Sequence, residues 1–390
     1  MHEKLSHLSH DQIADMLTQY YEGGEKVSIL IEKFGLDIHP SGFVGIFPFH
    51  VHSDLACPYC DGENLVSKRL SREHGAWRIG HAFCPTCNHE SWDHCRCPNC
   101  AALKRNEHQI IEQTKRDLIN LDFSGPYRDI PLAEELTFTD AVYLLSLARH
   151  SLSEDFFSAQ PFSDQSPVFA PTHDFRNEII KHLYAKGFIS ISNESDISAF
   201  DFSEDLTSIP AYYPTRVIWE FLPSMAPVNR GIYLNKLENL VRNGPWPKDW
   251  GKDVLLLWRQ ISKYECFEYY LHMLSQRGYD LDEIGPKTHK VFETMLERFA
   301  VSQVFNLSWQ AIRDTTDYIV KENLPTYRAK NSFIGSIERK ADKAIANGWE
   351  VRHSRRDFDC PQSVISSTFS DVVLELGYVA FEMVPHPYSK

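Results

Sequence analysis

Seven of the nine cysteines in this 390-residue chain fall between positions 57 and 100. They run as Cys57-Pro-Tyr-Cys60, then Cys84-Pro-Thr-Cys87, then Cys95-Arg-Cys97-Pro-Asn-Cys100. A stretch this short holds too little apolar material to fold around a core of its own, so its thiols decide what it can become. The first residues, Met1-His2-Glu3-Lys4-Leu5, lack the basic-then-apolar run of a secretory leader. No segment approaches the roughly 18 apolar residues of a membrane span. The expectation is a cytoplasmic protein, in which these thiols are metal ligands rather than disulfides. Two Cys-x2-Cys pairs about twenty residues apart are suited to a tetrahedral Zn2+ site of four thiolates.

Residues 55–90 resemble a zinc ribbon, a module of many nucleic-acid and transcription-associated proteins. The resemblance rests on the two cysteine pairs, on the prolines after Cys57 and Cys84, and on Asn88, which stands where ribbons usually carry Gly. Leu65-Val66 and Trp77-Arg78-Ile79 fit strands between the knuckles. The chain departs from a simple ribbon in its tail. Cys95, Cys97 and Cys100 lie beside His89 and His94, enough for a second site of three thiolates and one imidazole, donated by either histidine. The ligands can pair sequentially, Cys57/Cys60/Cys84/Cys87 and then a histidine with Cys95/Cys97/Cys100. They can also interleave in a cross-braced or treble-clef manner, with Cys57/Cys60 facing Cys97/Cys100. Either way every coordination position is filled by protein, which makes the metal structural. His50 and His52, with Asp54, form a weaker candidate pair whose ordinary reading is solvent-facing histidines.

The rest of the chain is expected to be mainly helical. Ser9 and Gln12 have the form of a capping box ahead of Ile13, Met16, Leu17 and Tyr20. A second helix carries Val27, Leu30, Ile31 and Phe34 and stops at Gly35, and Pro40 opens a third short one. Residues 25–47 loosely resemble a helix-turn-helix, but they offer almost no side chains to read base edges. Helices are predicted near 107–121, 139–150, 174–186, 229–242, 252–275, 286–308, 309–322, 335–346 and 364–381. Residues 188–192 and 216–221 alternate like strands, and 349–356 reads as extended. The fold class is therefore α+β, mainly α. Four segments are expected: a helical head at 1–50, a zinc module at 51–105, an acidic, winged-helix-like α/β segment at 106–225 and a helical domain at 226–390.

Charge bears on function. The net charge is −13, which argues against indiscriminate coating of nucleic acid. The excess acid is concentrated in residues 129–225, with 15 acidic side chains against 5 basic. Residues 326–356 reverse the sign, with Arg328, Lys330, Arg339, Lys340, Lys343, Arg352, Arg355 and Arg356 against Glu338, Asp342 and Glu350. This patch is either a solvated helix face or a phosphate-binding surface, for which Arg339, Lys340, Lys343, Arg352, Arg355 and Arg356 are the candidates. A nuclease reading would give a divalent ion to Glu350 or Asp357 and the base role to His353. Arg69 and His74 match a short ribonuclease-like spacing but fall between the knuckles. Cys266 and Cys360 read as buried thiols. Phosphate-loop, dinucleotide-binding, nucleophile-elbow and zinc-protease motifs are missing, so no nucleotide cofactor is expected. The leading expectation is a non-enzymatic, zinc-stabilised nucleic-acid-associated protein. A protein-interaction adaptor using the zinc module and acidic segment is the alternative, and a metal-dependent nuclease or toxin-like enzyme is third.

Overall fold

The computed structural model describes residues 2–390 except 75–77, 93, 126, 163–166, 282 and 324–325; the side chains of 326–331 also lie outside the description. Trp77 and the side chains of Arg328 and Lys330 are thus outside the described residues. The chain is mainly helical with small antiparallel sheets, and it divides into two compact units, 1–114 and 115–390. The sequence suggested four segments. Two of them, the head and the cysteine-rich stretch, fall in one unit.

In the first unit, α1 (His10–Tyr21) starts where the sequence says it should. Ser9 Oγ accepts the Gln12 N–H, and Gln12 Oε1 accepts the Ser9 N–H at 2.8 Å. Helix α2 (Val27–Lys33) ends before Gly35, whose φ of +62° suits a residue without Cβ. After this break the chain makes only two 3-10 turns, Pro40–Gly42 and Val44–Ile46. The helix-turn-helix resemblance therefore stops at Gly35, because the segment that should lie in a groove is not a helix. Its apolar residues instead build a core in which Tyr20, Phe43 and Phe47 meet edge to face.

Strands β1 (His50–Ala56), β2 (Asn64–Arg69) and β3 (Ile79–Phe83) form an antiparallel sheet in sequence order. This sheet is fastened to the head by polar contacts. The Tyr21 hydroxyl donates to the Leu70 carbonyl at 2.6 Å, and Arg72 donates to the Glu25 carbonyl at 2.7 Å. The turn residues after β2 are thus structural, and His74 is tied to Ser71 at 2.9 Å. Helix α3 (Pro98–Phe123) follows, and the unit boundary falls within it.

The second unit opens with α4 (Phe138–Ser151), β4 (Ser158–Ala159) and α5 (His173–Lys186). Gly187, at φ +78°, ends α5 and turns the chain into β5 (Ile189–Ile191). The hairpin of β6 (Phe200–Asp201) and β7 (Ala211–Tyr212) leads to β8 (Trp219–Phe221), which pairs with both β4 and β5. Next come α6 (Pro227–Asn243) and α7 (Trp250–Ser275). The first half of α7 packs Trp250, Val254, Leu257 and Trp258 into a core shared with α4, α5 and the β4–β8–β5 sheet. Its second half packs Phe267, Tyr270 and Met273 into another core. The acidic segment is therefore built into the same unit as the C-terminal helices.

The C-terminal helices correct two boundaries. Helix α8 (Pro286–Leu296) and α9 (Val301–Glu322) replace the expected 286–308 and 309–322. Phe299, Ala300 and Val301, at the break, are all buried. Helix α10 (Thr326–Ala346) lies against α9. The segment expected as one helix at 364–381 is instead α11 (Val364–Ser367), a π turn over Thr368–Val373 and a 3-10 turn over Gly377–Glu382. Glu375 and Gly377, both at positive φ, interrupt it. Among the described residues, no helix is long and apolar enough to cross a membrane.

Candidate metal centre and basic groove

Each knuckle is a tight turn at a strand end. In the first, the Cys57 N–H donates to Glu63 O at 2.7 Å and the Glu63 N–H to Cys60 O at 2.8 Å. In the second, the Cys84 N–H donates to His89 O at 2.7 Å. Asn88 takes φ +56°, so it fills the left-handed position that ribbons usually give to Gly. The two turns bring the donor atoms of Cys57, Cys60, Cys84 and Cys87 within 4.8 Å of one another, with Cys57 Sγ 3.6 Å from Cys87 Sγ. Four sulfurs at about 2.3 Å from a tetrahedral zinc stand about 3.8 Å apart. The donor set fits Zn2+.

A second group follows in sequence. His89, Cys95, Cys97 and Cys100 also lie within 4.8 Å of one another, with His89 Nδ1 3.3 Å from Cys100 Sγ. The sequential arrangement, not the cross-braced one, is what the chain adopts. The Cys95-x-Cys97 spacing is accommodated because the two residues enter differently. Cys95 sits in the turn after Glu90, while Cys97 and Cys100 flank the start of α3. Burial works against ionising Cys95, but the Glu90 and Cys97 N–H groups donate to its sulfur and bring its pKa below the usual thiol value. His94 lies outside both groups; its ring packs beside Trp92. Tyr59 links the sites, with its hydroxyl 3.6 Å from Cys100 Sγ and its ring edge-on to His89. The bond to Cys100 pushes the phenol up to about 12. His50 and His52 join no donor group among the described residues, and His52 Nε2 is bonded to Ser67 Oγ at 2.8 Å.

The basic patch divides into two parts. Arg339, Lys340 and Lys343 lie on α10 and line a groove of about 610 Å³ together with Asp314, Tyr318 and Trp349. Lys340 pairs with Asp314 at 2.7 Å, and Arg339 donates to Ser336 at 2.8 Å. Tyr318 and Trp349 remain 57% and 54% exposed, so both rings are available for stacking. Residues 349–356 run extended but join no sheet; they are held on α9 by Ser354 N–H to Ser302 O and Gln303 to Val351 O, each at 3.0 Å. Arg352 and Arg355 are exposed there.

Arg356 turns inward. Its side chain is 14% exposed, pairs with Glu265 at 2.8 Å and packs over the Phe381 ring. It therefore belongs to the interior and not to a phosphate-binding surface. Glu350 is exposed and joins no donor group among the described residues, and His353 is tied to Ser302 Oγ at 2.7 Å. Asp357 alone of the nuclease candidates meets other donors, His272 and Asp359. Sequence reasoning missed that group because His272 is distant in the chain; only the Asp-x-Asp doublet hinted at it. Cys266 and Cys360 are both buried free thiols.

Comparison with protein-family models, with curated proteins and with solved structures finds no match to this chain.

Proposed function

We propose that this is a zinc-stabilised nucleic-acid-associated protein in which the α9–α10 groove is the contact surface. Zinc in the two cysteine-rich sites orders the first unit. With four protein donors each, those sites leave no place for water or substrate, so the ions serve folding. The observation that carries the reading is the groove itself, where Arg339, Lys340 and Lys343 stand beside Tyr318 and Trp349. Cations that track phosphates and rings that stack bases are the combination single-stranded nucleic acid requires. Arg352 and Arg355 extend the positive surface past Trp349 in the chain. An interaction-adaptor role, docking a partner through the zinc module and the acidic segment, is the second reading; directly after that segment, α6 exposes Val228 and Ile232 one turn apart.

Retention of single-stranded RNA and DNA in a gel at stepped salt tests the proposal. Trp349→Ala is expected to weaken binding by about 5- to 160-fold, the loss of one stacked base. Lys343→Ala is expected to lower the salt slope by roughly 0.7, one phosphate contact on a single strand. No retention at low ionic strength, where phosphate contacts are strongest, would sink the reading.

A further inference from the structure

We propose that His272, Asp357 and Asp359 form a third metal site, one that binds a first-row divalent cation through nitrogen and oxygen. His272 lies in the last turn of α7, and the two aspartates lie on the turn that follows Arg356. His272 Nε2 stands 4.0 Å from Asp357 Oδ1 and 3.8 Å from Asp359 Oδ2, and all three donor atoms lie within 4.8 Å of one another. These separations are too long for N–H···O hydrogen bonds, which span about 2.7–3.2 Å. They approach the roughly 3–3.5 Å between ligands held at about 2.0–2.2 Å from one ion. An inward shift of a fraction of an ångström closes the site.

The Asp359 N–H donates to Asp357 Oδ1 at 3.0 Å, and the turn this closes aims both carboxylates at the same imidazole while leaving Phe358, between them, 95% exposed. Two carboxylates at one point repel. The cation next in sequence, Arg356, is committed to Glu265 at 2.8 Å, so the positive charge that relieves the repulsion is either a proton or a divalent ion on His272, and the metal titration below distinguishes the two. One turn beyond His272, the Gln276 side-chain amide lies 2.8 Å from the same Nε2 and can present its oxygen as a fourth donor once the amide is turned.

The chemistry differs from that of the cysteine sites. One imidazole and two carboxylates accept Mn2+ as well as Zn2+, whereas thiolates favour Zn2+ over the harder Mn2+. Three protein donors also leave coordination positions open to water.

The test uses the full chain with its two cysteine-rich sites loaded with zinc. Mn2+ is titrated in and followed by calorimetry and by electron paramagnetic resonance, and bound zinc is measured in parallel after adding excess Zn2+. One further divalent ion per chain is expected. His272→Ala, and Asp357→Asn combined with Asp359→Asn, should weaken its binding at least tenfold with the original zinc retained. Asp359→Asn alone, at a side chain 59% exposed, gives a variant in which a folding defect is not a concern. The proposal is overturned if the chain takes up neither Mn2+ nor a third zinc. It is equally overturned if the double asparagine variant binds as the parent does. Neither result depends on nucleic-acid binding, so this site stands or falls separately from the groove.

Discussion

Replacing Cys84 with serine should release one of two zinc ions and unfold the β1–β3 sheet while the second unit stays folded. Apart from its polar contacts to the head, the sheet has little core of its own: the apolar cluster around it consists of Cys57, Leu65 and Cys84, with little more than partly buried neighbours. Structural zinc contributes on the order of 10–16 kcal/mol to folding such a module, and loss of one thiolate removes most of that. The expected readouts are metal content falling from two ions to one and rapid amide exchange across 50–83. The aromatic head, with its own core of Tyr20, Phe43 and Phe47, should keep α1 helical. A Cys84→Ser protein that retains both ions and a protected sheet would show that this cysteine is not a ligand.

Arg356→Ala should destabilise the second unit by about 3–5 kcal/mol, the cost of leaving a buried charge without its partner. The partner is Glu265, whose side chain is 5% exposed and also accepts a hydrogen bond from Ser366 Oγ at 2.6 Å. Truncation also removes the guanidinium from the face of Phe381. Replacing both members with apolar residues, Arg356→Met with Glu265→Leu, should recover most of the loss, because the cost lies in the unpaired charge. Chemical denaturation of the variants measures both effects. A loss below about 1 kcal/mol for Arg356→Ala would mean the ion pair is exposed to water in solution. The double variant should bind nucleic acid like the parent, which separates Arg356 from Lys343.

The cysteine-rich module was largely legible because its chemistry is local. Each knuckle needs only residues close in sequence, and Asn88 marked the left-handed turn position of the second. The capping box at Ser9 and the Gly187 stop were legible for the same reason. Spacing alone left His89 and His94 equivalent. What separates them is the Cys84–His89 turn, which places His89 beside the start of α3. The break between α8 and α9 was hidden because apolar residues continue through it, with Phe299, Ala300 and Val301 all buried. Arg356 looked like its neighbours Arg352 and Arg355. Its inward turn depends on Glu265, a residue far away in the chain, and no local pattern encodes that pairing. The fate of 364–381 was equally non-local, since the π turn and the positive φ at Glu375 serve packing rather than propensity.

Zinc K-edge X-ray absorption on the purified, unchelated chain, with metal content measured on the same sample, tests the account most directly. The result expected is two zinc ions per chain. Their averaged first shell should hold three and a half sulfurs at about 2.3 Å and half a nitrogen at about 2.0 Å, as one four-thiolate and one three-thiolate, one-imidazole site require. A folded chain with no bound transition metal, or a first shell dominated by oxygen, would contradict it.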